Sequence, residues 1–275
     1  MNTVIATLLA LGWSGLALSQ ASSAQRPSGK TVELVVPSTT YPQGRHAWVY
    51  TPLGYPGSCH DECNLIVALD GAIYATAMAM PDMLDSLIAL GRTRPAVAVL
   101  IDNGGPPGRI QDLANSARFA GFVANEMVPW ARAHYRVTRS PAQTLITGSS
   151  AGGLGAAYIA MTYPGVFGNV LSQSGAFWRG NEASNDPPYE WLTQQFSAMP
   201  AVSVRFFLDV GAREVGGALA GAAPSLLSAN RHLDSVLKVK GYRVDYFEVP
   251  NGEHSPDTWR PRLPVGIVRL LPGDR

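Results

Sequence analysis

The chain has 275 residues, 46% of them hydrophobic and 15% charged, and a formal net charge of +1. That balance suits a chain that buries a large core, and it excludes long-range disorder. No run of Lys or Arg is long enough to neutralise a phosphate backbone or to hold an anionic membrane, so nucleic acid is excluded as a partner and a polybasic membrane contact with it.

Val4 to Leu18 is almost wholly apolar, about fifteen residues where a membrane span needs roughly 20. Small residues follow in Ala17-Leu18-Ser19 and Ser22-Ser23-Ala24, both resembling cleavage sites. Residues 1–24 therefore read as a secretory signal peptide, although the first basic residue is only Arg26. An uncleaved N-terminal tether or an unstructured tail are the alternatives. The expected product is secreted or periplasmic, with no stable membrane span after processing.

Residues 25–275 read as one domain, because no linker divides them. Thr31–Val36 and His46–Thr51 are rich in β-branched and aromatic residues and predict two opening strands joined by a turn at Tyr41-Pro42-Gln43-Gly44. A Pro/Gly loop follows and carries both cysteines, in Cys59-His60-Asp61-Glu62-Cys63. In an oxidising compartment this spacing predicts a small disulfide loop. Free thiols or a metal site are the competing readings, and the metal signal is weak without a second ligand pair. No metal is expected.

The pattern then changes to short, mainly apolar runs: Leu65–Leu69, Ala96–Ile101, Thr144–Thr147, Val170–Leu171, Arg205–Val210 and Val244–Val249. Such strands suit a sheet covered on both faces. Helical stretches lie between them at Pro81–Leu90, Ser116–Tyr135, Ala151–Tyr163 and Pro224–Lys240. The alternation predicts an α/β fold with about eight strands, mostly parallel, and helices on both faces.

Gly148-Ser149-Ser150-Ala151-Gly152 matches Gly-x-Ser-x-Gly between an expected strand and an expected helix. A sharp turn there would strain the central Ser, and large neighbours would clash, which explains the flanking glycines. Ser150 is thus the candidate nucleophile. A Ser capping the helix is the plainer reading, and Ser149 would serve it equally well. A hydroxyl needs an adjacent base to attack. His46, His60, His134 and His232 sit in strand, loop or helix contexts that packing or surface exposure explains. His254 follows the last strand in a turn-rich loop, where the chain order Ser, acid, His expects the base. Two carboxylates compete for the acid. Glu214, in the loop after Arg205–Val210, is better placed than Asp209 within that strand. The expected oxyanion donors are the backbone N–H of Ala151 and one from Asp70-Gly71-Ala72, with Ala72 preferred over Gly71.

These residues resemble the putative esterase family of α/β hydrolases, the group of the enterochelin (trilactone siderophore) esterases, with feruloyl esterases and esterase D more distant. The resemblance runs from about Asn64 to Arg262. Its most specific stretches are Gly148 to Leu154, Tyr163 to Gly168 and Leu171 to Trp178. Leu69-Asp70-Gly71, Arg109 to Leu113, Glu126 to Trp130, Gly211 to Glu214, Gly252 to His254 and Trp259-Arg260 add to it. It implies an α/β-hydrolase fold, ester hydrolysis without a cofactor, and an acid at Glu214. It leaves the substrate open, because such a family spans siderophores, aryl esters and thioesters. An aromatic often follows the Asp-Gly in those esterases, and here only Tyr74 answers to it.

The expected partner is a small-molecule ester; the sequence says nothing of oligomeric state. An acyltransferase could use the same three residues, and a non-catalytic binding protein could keep the fold, although a complete triad argues against the latter. Phe177, Trp178 and Trp191 are candidate substrate-binding residues, since the segment leaving Val170–Leu171 emerges at the same sheet edge as Ser150. Simple packing of a lid, through the polar segment Asn181 to Tyr189, is the plainer reading.

Overall fold

Residue alternation decides the layering of the sheet. Along the third strand Leu65, Val67 and Leu69 enter one apolar cluster while Ile66 and Ala68 enter another, all without solvent exposure. A strand buried on both faces must carry apolar residues on both sides, and Leu65 to Leu69 do.

The computed structural model describes residues 28–181, 187–216 and 223–274. The signal-peptide reading falls outside them, as does most of the polar segment before Tyr189. The strands are β1 (Lys30–Val36), β2 (Arg45–Thr51), β3 (Asn64–Leu69), β4 (Ala96–Ile101), β5 (Thr144–Ser149), β6 (Asn169–Gln173), β7 (Arg205–Gly211) and β8 (Arg243–Val249). They form one sheet in the order β1-β2-β4-β3-β5-β6-β7-β8. β1 and β2 pair antiparallel, β2 joins β4 antiparallel, and every pairing from β4 to β8 is parallel. This is the mostly parallel α/β sheet that the alternating pattern predicts, in the α/β-hydrolase arrangement that the resemblance implies.

The helices are α1 (Gly71–Ala75), α2 (Met80–Ala89), α3 (Pro106–Leu113), α4 (Ala117–Phe122), α5 (Val128–His134), α6 (Ala151–Thr162), α7 (Trp191–Ala198), α8 (Leu226–Val239), α9 (Pro256–Trp259) and α10 (Leu263–Leu270). One face of the sheet is covered by α4 to α8, the other by α1, α2, α9 and α10. Sequence periodicity finds α2, α6 and α8 within a residue or two. It misses α1, α3, α7, α9 and α10, all eight residues or shorter, in which few apolar residues can repeat.

The predicted helix Ser116–Tyr135 is a correction. It is divided into α4 and α5 by a π-helical turn, Val123–Met127. Pro129 has no N–H for the carbonyl four residues before it, so a regular α-helix cannot run through this point. The turn presents Glu126 to the loop after β1. Its carboxylate accepts from the hydroxyls of Ser38 (2.6 Å), Thr39 (2.8 Å) and Thr40 (2.5 Å) and from the backbone N–H of Thr39 (2.9 Å). Burial alone would raise its pKa; these donors outweigh it and hold the carboxyl down at about 2.

Cys59 and Cys63 form a disulfide, with Cα atoms 4.9 Å apart. Arg136 braces the loop by donating to the carbonyls of Asp61 (2.5 Å) and His60 (3.1 Å).

Candidate active site

The C-terminal ends of the parallel strands bring the expected residues together. Ser150 stands between β5 and α6 at φ 57° and ψ −122°, a conformation an L-residue adopts only under constraint. Two backbone bonds supply that constraint: Ser150 N–H donates to Gln173 O at 2.9 Å, and its carbonyl accepts from Ala176 N–H at 2.9 Å. The turn is so tight that a β-carbon on Gly148 would lie 2.2 Å from the backbone of Gly152. Only glycine fits there.

His254 lies in the loop between β8 and α9. Its Nε2 is 3.0 Å from Ser150 Oγ, and its Nδ1 is 2.6 Å from Glu214 Oε2. An ionised carboxylate only accepts, so Nδ1 carries the hydrogen in this pair. The lone pair of neutral Nε2 then faces the Ser150 hydroxyl. Glu214 has a side chain only 2% exposed, while that of His254 is 38% exposed. The acid is thus inside and the base at the surface. Gly211 N–H donates to Glu214 Oε1 at 2.8 Å.

Of the two carboxylates the sequence leaves in competition, the one that meets His254 is Glu214. Asp209 lies on β7 and turns into the core, accepting from Gln173 Nε2 at 3.2 Å with Arg262 Nε 4.0 Å away. Burial pushes its pKa up to about 7, against the opposing pull of Gln173 and Arg262.

Ala151 is the first residue of α6 and Ala72 the second of α1. First-turn N–H groups have no partner within their own helix, so both can donate outward. The turn into α1 is set by Asp70, in the left-handed region at φ 64°. Its carboxylate takes a two-pronged bond from Arg109, Nε to Oδ1 at 2.8 Å and Nη2 to Oδ2 at 2.6 Å, and a further bond from Asn103 Nδ2. Asp70 also lies against the start of α6, where a β-carbon on Gly152 would be 3.0 Å from its Oδ2. One ion pair, with Asp70 buried and Arg109 partly exposed, therefore braces both prospective donors. Sequence reasoning gives Arg109 no role, because it is 39 residues from Asp70.

The aromatic candidates divide. Phe177 is fully buried, its ring crowding Gly175, and offers a substrate no surface. Trp178 keeps 8% exposure, with the Arg179 guanidinium 5.0 Å from its ring centre. Trp191 is half-buried, and its ring centre is 6.0 Å from that of Tyr158 on α6. Tyr74 is also fully buried, its hydroxyl 3.5 Å from Thr147 Oγ1, so it packs the core instead of lining the site.

The model of the family described as "Putative esterase" matches residues 38–270. The chain belongs to this family. It is 28% identical over 246 residues to the iron(III) enterobactin esterase of Escherichia coli K12, and 29% identical over 241 residues to that of Dickeya dadantii. Those alignments cover 90% and 84% of this chain but 58% and 52% of the relatives, so the chain spans less than two thirds of their length. The enterobactin esterase of Shigella flexneri, crystallised in the presence of enterobactin, superposes with a TM-score of 0.77 at 28% identity, covering 90% of this chain and 60% of that one. A ferulic acid esterase superposes with a TM-score of 0.72 over 89% of this chain and 98% of its own; at 19% identity that likeness speaks for the fold alone.

Proposed function

We propose that this member of the family is a secreted serine esterase, with residues 25–275 as a single catalytic domain that hydrolyses carboxylic esters through an acyl-enzyme. The observation that carries the reading is the unbroken hydrogen-bonded line Ser150–His254–Glu214, from the half-buried hydroxyl of a residue with strained backbone to a buried carboxylate. In the first step Ser150 Oγ attacks the ester carbonyl carbon and its proton passes to His254 Nε2. Glu214 stabilises the imidazolium that results. The oxyanion is met by the N–H of Ala151 and by a second N–H from the first turn of α1, that of Ala72. Each such donor is worth roughly 10²–10³ in rate. Collapse expels the alcohol, which takes the proton from His254. Water then attacks the acyl-Ser150 by the same route and releases the acid.

The names of the enterobactin esterases suggest a siderophore ester as substrate, and the sequence resemblance adds aryl esters, feruloyl among them. The Cys59–Cys63 disulfide supports an oxidising compartment and hence secretion or a periplasmic location.

The test is a hydrolysis panel of short acyl, long acyl, feruloyl and catecholate esters, run with wild type and Ser150→Ala. Hydrolysis that falls on the order of 10⁶-fold in a folded Ser150→Ala supports the reading. Turnover that survives the substitution, or no turnover of any ester by wild type, refutes it.

A further inference from the structure

The acid is held from behind by residues to which the triad gives no part. Ser174 Oγ lies 2.5 Å from Glu214 Oε1, and Trp259 Nε1 lies 2.9 Å from Ser174 Oγ. The indole N–H can only donate, and the carboxylate can only accept. Ser174 must therefore accept from Trp259 and direct its single hydrogen at Glu214. The sense of both bonds is fixed by chemistry.

We infer that Ser174 and Trp259 are positioning residues that lock the Glu214 carboxylate toward His254. The inference rests on the triad reading above and adds two residues behind it. With Ser174 and Gly211 N–H both on Oε1, rotation of the carboxylate would break two bonds at once, and Oε2 is left facing His254 Nδ1. Trp259 acts on both partners, because its ring also meets the His254 ring edge to face, centres 5.0 Å apart at 89°. Base and acid are thus registered against one indole.

The surroundings show how firmly this pair is set. Ser174 is in the left-handed region at φ 47°, unusual for a residue with a β-carbon. Its N–H is tied to Asp209 O at 2.6 Å. Gln173 Nε2 holds the Trp259 carbonyl at 2.8 Å. Ser174 and Trp259 are both buried, so neither hydroxyl nor indole has water as an alternative partner. The Gln173-Ser174-Gly175 stretch carries the family resemblance, and this arrangement gives it a task.

The experiment measures kcat and KM on one hydrolysed ester for Ser174→Ala, Trp259→Phe and the double variant, in wild-type and Glu214→Ala backgrounds. Trp259→Phe keeps an aromatic ring at this buried position and removes the donor with part of the indole's volume, whose packing cost the melting transition reads separately. Each single variant is expected to lower kcat about tenfold with KM nearly unchanged, as for loss of a bond to a charged group. The double variant should be no worse than Ser174→Ala, since the bonds act in series. In the Glu214→Ala background Ser174→Ala should change kcat by less than about twofold, because its route of action is gone. An equal loss in both backgrounds, or full kcat in both single variants, overturns the inference. Should Ser174→Ala not fold, as judged by its melting transition, Trp259→Phe decides alone by the same criteria. A fully active Glu214→Ala would overturn the acid assignment itself, and it shows with Ser174 and Trp259 untouched.

Discussion

Gly211 and Gly252 pack backbone against backbone: a β-carbon on Gly211 would lie 2.4 Å from the carbonyl oxygen of Gly252 and 2.7 Å from Glu214 Oε1. This contact, with the Arg213 N–H bond to Gly252 O at 3.0 Å, joins the loop that carries Glu214 to the loop that carries His254. Gly211→Ala should therefore push the loops apart. The expected result is a kcat at least about tenfold lower and a loss of about 1–3 kcal/mol in stability, the usual cost of overpacking. Kinetics and a urea titration would check it; an alanine variant with wild-type kcat would show that the contact is not needed for the register of the two loops.

The two carboxylates of this region should separate cleanly on substitution. Glu214→Gln removes the charge that faces His254 and should lower kcat by about 10³–10⁴. Asp209→Asn should leave most activity and alter the pH dependence of stability instead. The Asp209 carboxyl titrates at about 7 in the fold against an ordinary 3.8, so between those values the folded state binds the extra proton. Stability from this group is fully present below about pH 4 and is lost as the pH rises through about 7. The asparagine variant, which cannot ionise, should exceed wild type by up to about 4 kcal/mol at pH 8 and converge with it near pH 4. Urea melts at those two pH values test this. A constant difference between the two proteins would mean that Asp209 is ionised throughout.

Much of the fold was legible because β3 to β7 are short, mainly apolar runs ending at Gly, Asp or Ser, β8 stops at Pro250, and α2, α6 and α8 are long enough to show their period. That Ser150, His254 and Glu214 would meet at one sheet edge was legible because each sits in a connection after a strand, where chain order restricts the choice. Ser174, Trp259 and the Asp70–Arg109 pair were not. Ser174 and Glu214 are 40 residues apart and Trp259 and Ser174 are 85, so only the folded topology joins them. The burial of Phe177 is not legible for a related reason: position after a strand fixes which edge a segment reaches, but not how deeply each side chain packs into the core.

Reducing the Cys59–Cys63 disulfide should cost about 2 kcal/mol, the chain-entropy value for so small a loop. Activity should change little, because the Arg136 bonds to the carbonyls of His60 and Asp61 would still brace the loop. Melts of wild type and a Cys59→Ser/Cys63→Ser variant, with and without reductant, provide the check. A loss well above that figure would mean that the disulfide orders more than its own loop.

Trp178 is the aromatic whose position argues most for contact with a substrate. Ala176, two residues before it, is bonded through its N–H to the carbonyl of Ser150, so the segment leaves the nucleophile directly. Phe177 between them is fully buried, whereas Trp178 keeps 8% exposure. The Trp178 carbonyl is held by Glu190 N–H at 3.1 Å, and the Arg179 guanidinium lies near its ring, so the side chain is ordered in advance of any ligand. Pre-ordered aromatics bind flat rings at little entropic cost. Trp191 is a weaker candidate, since its ring packs against Tyr158 on α6. Trp178→Ala should thus raise KM for an aryl ester about tenfold or more, and for p-nitrophenyl acetate by much less, when KM is compared at equal folded content. The acetate carries its ring on the alcohol side, so the aryl ester must carry its ring on the acyl side for the comparison to isolate the pocket. Equal losses on both esters, together with a matching fall in melting temperature, would show that Trp178 only packs the segment onto the core.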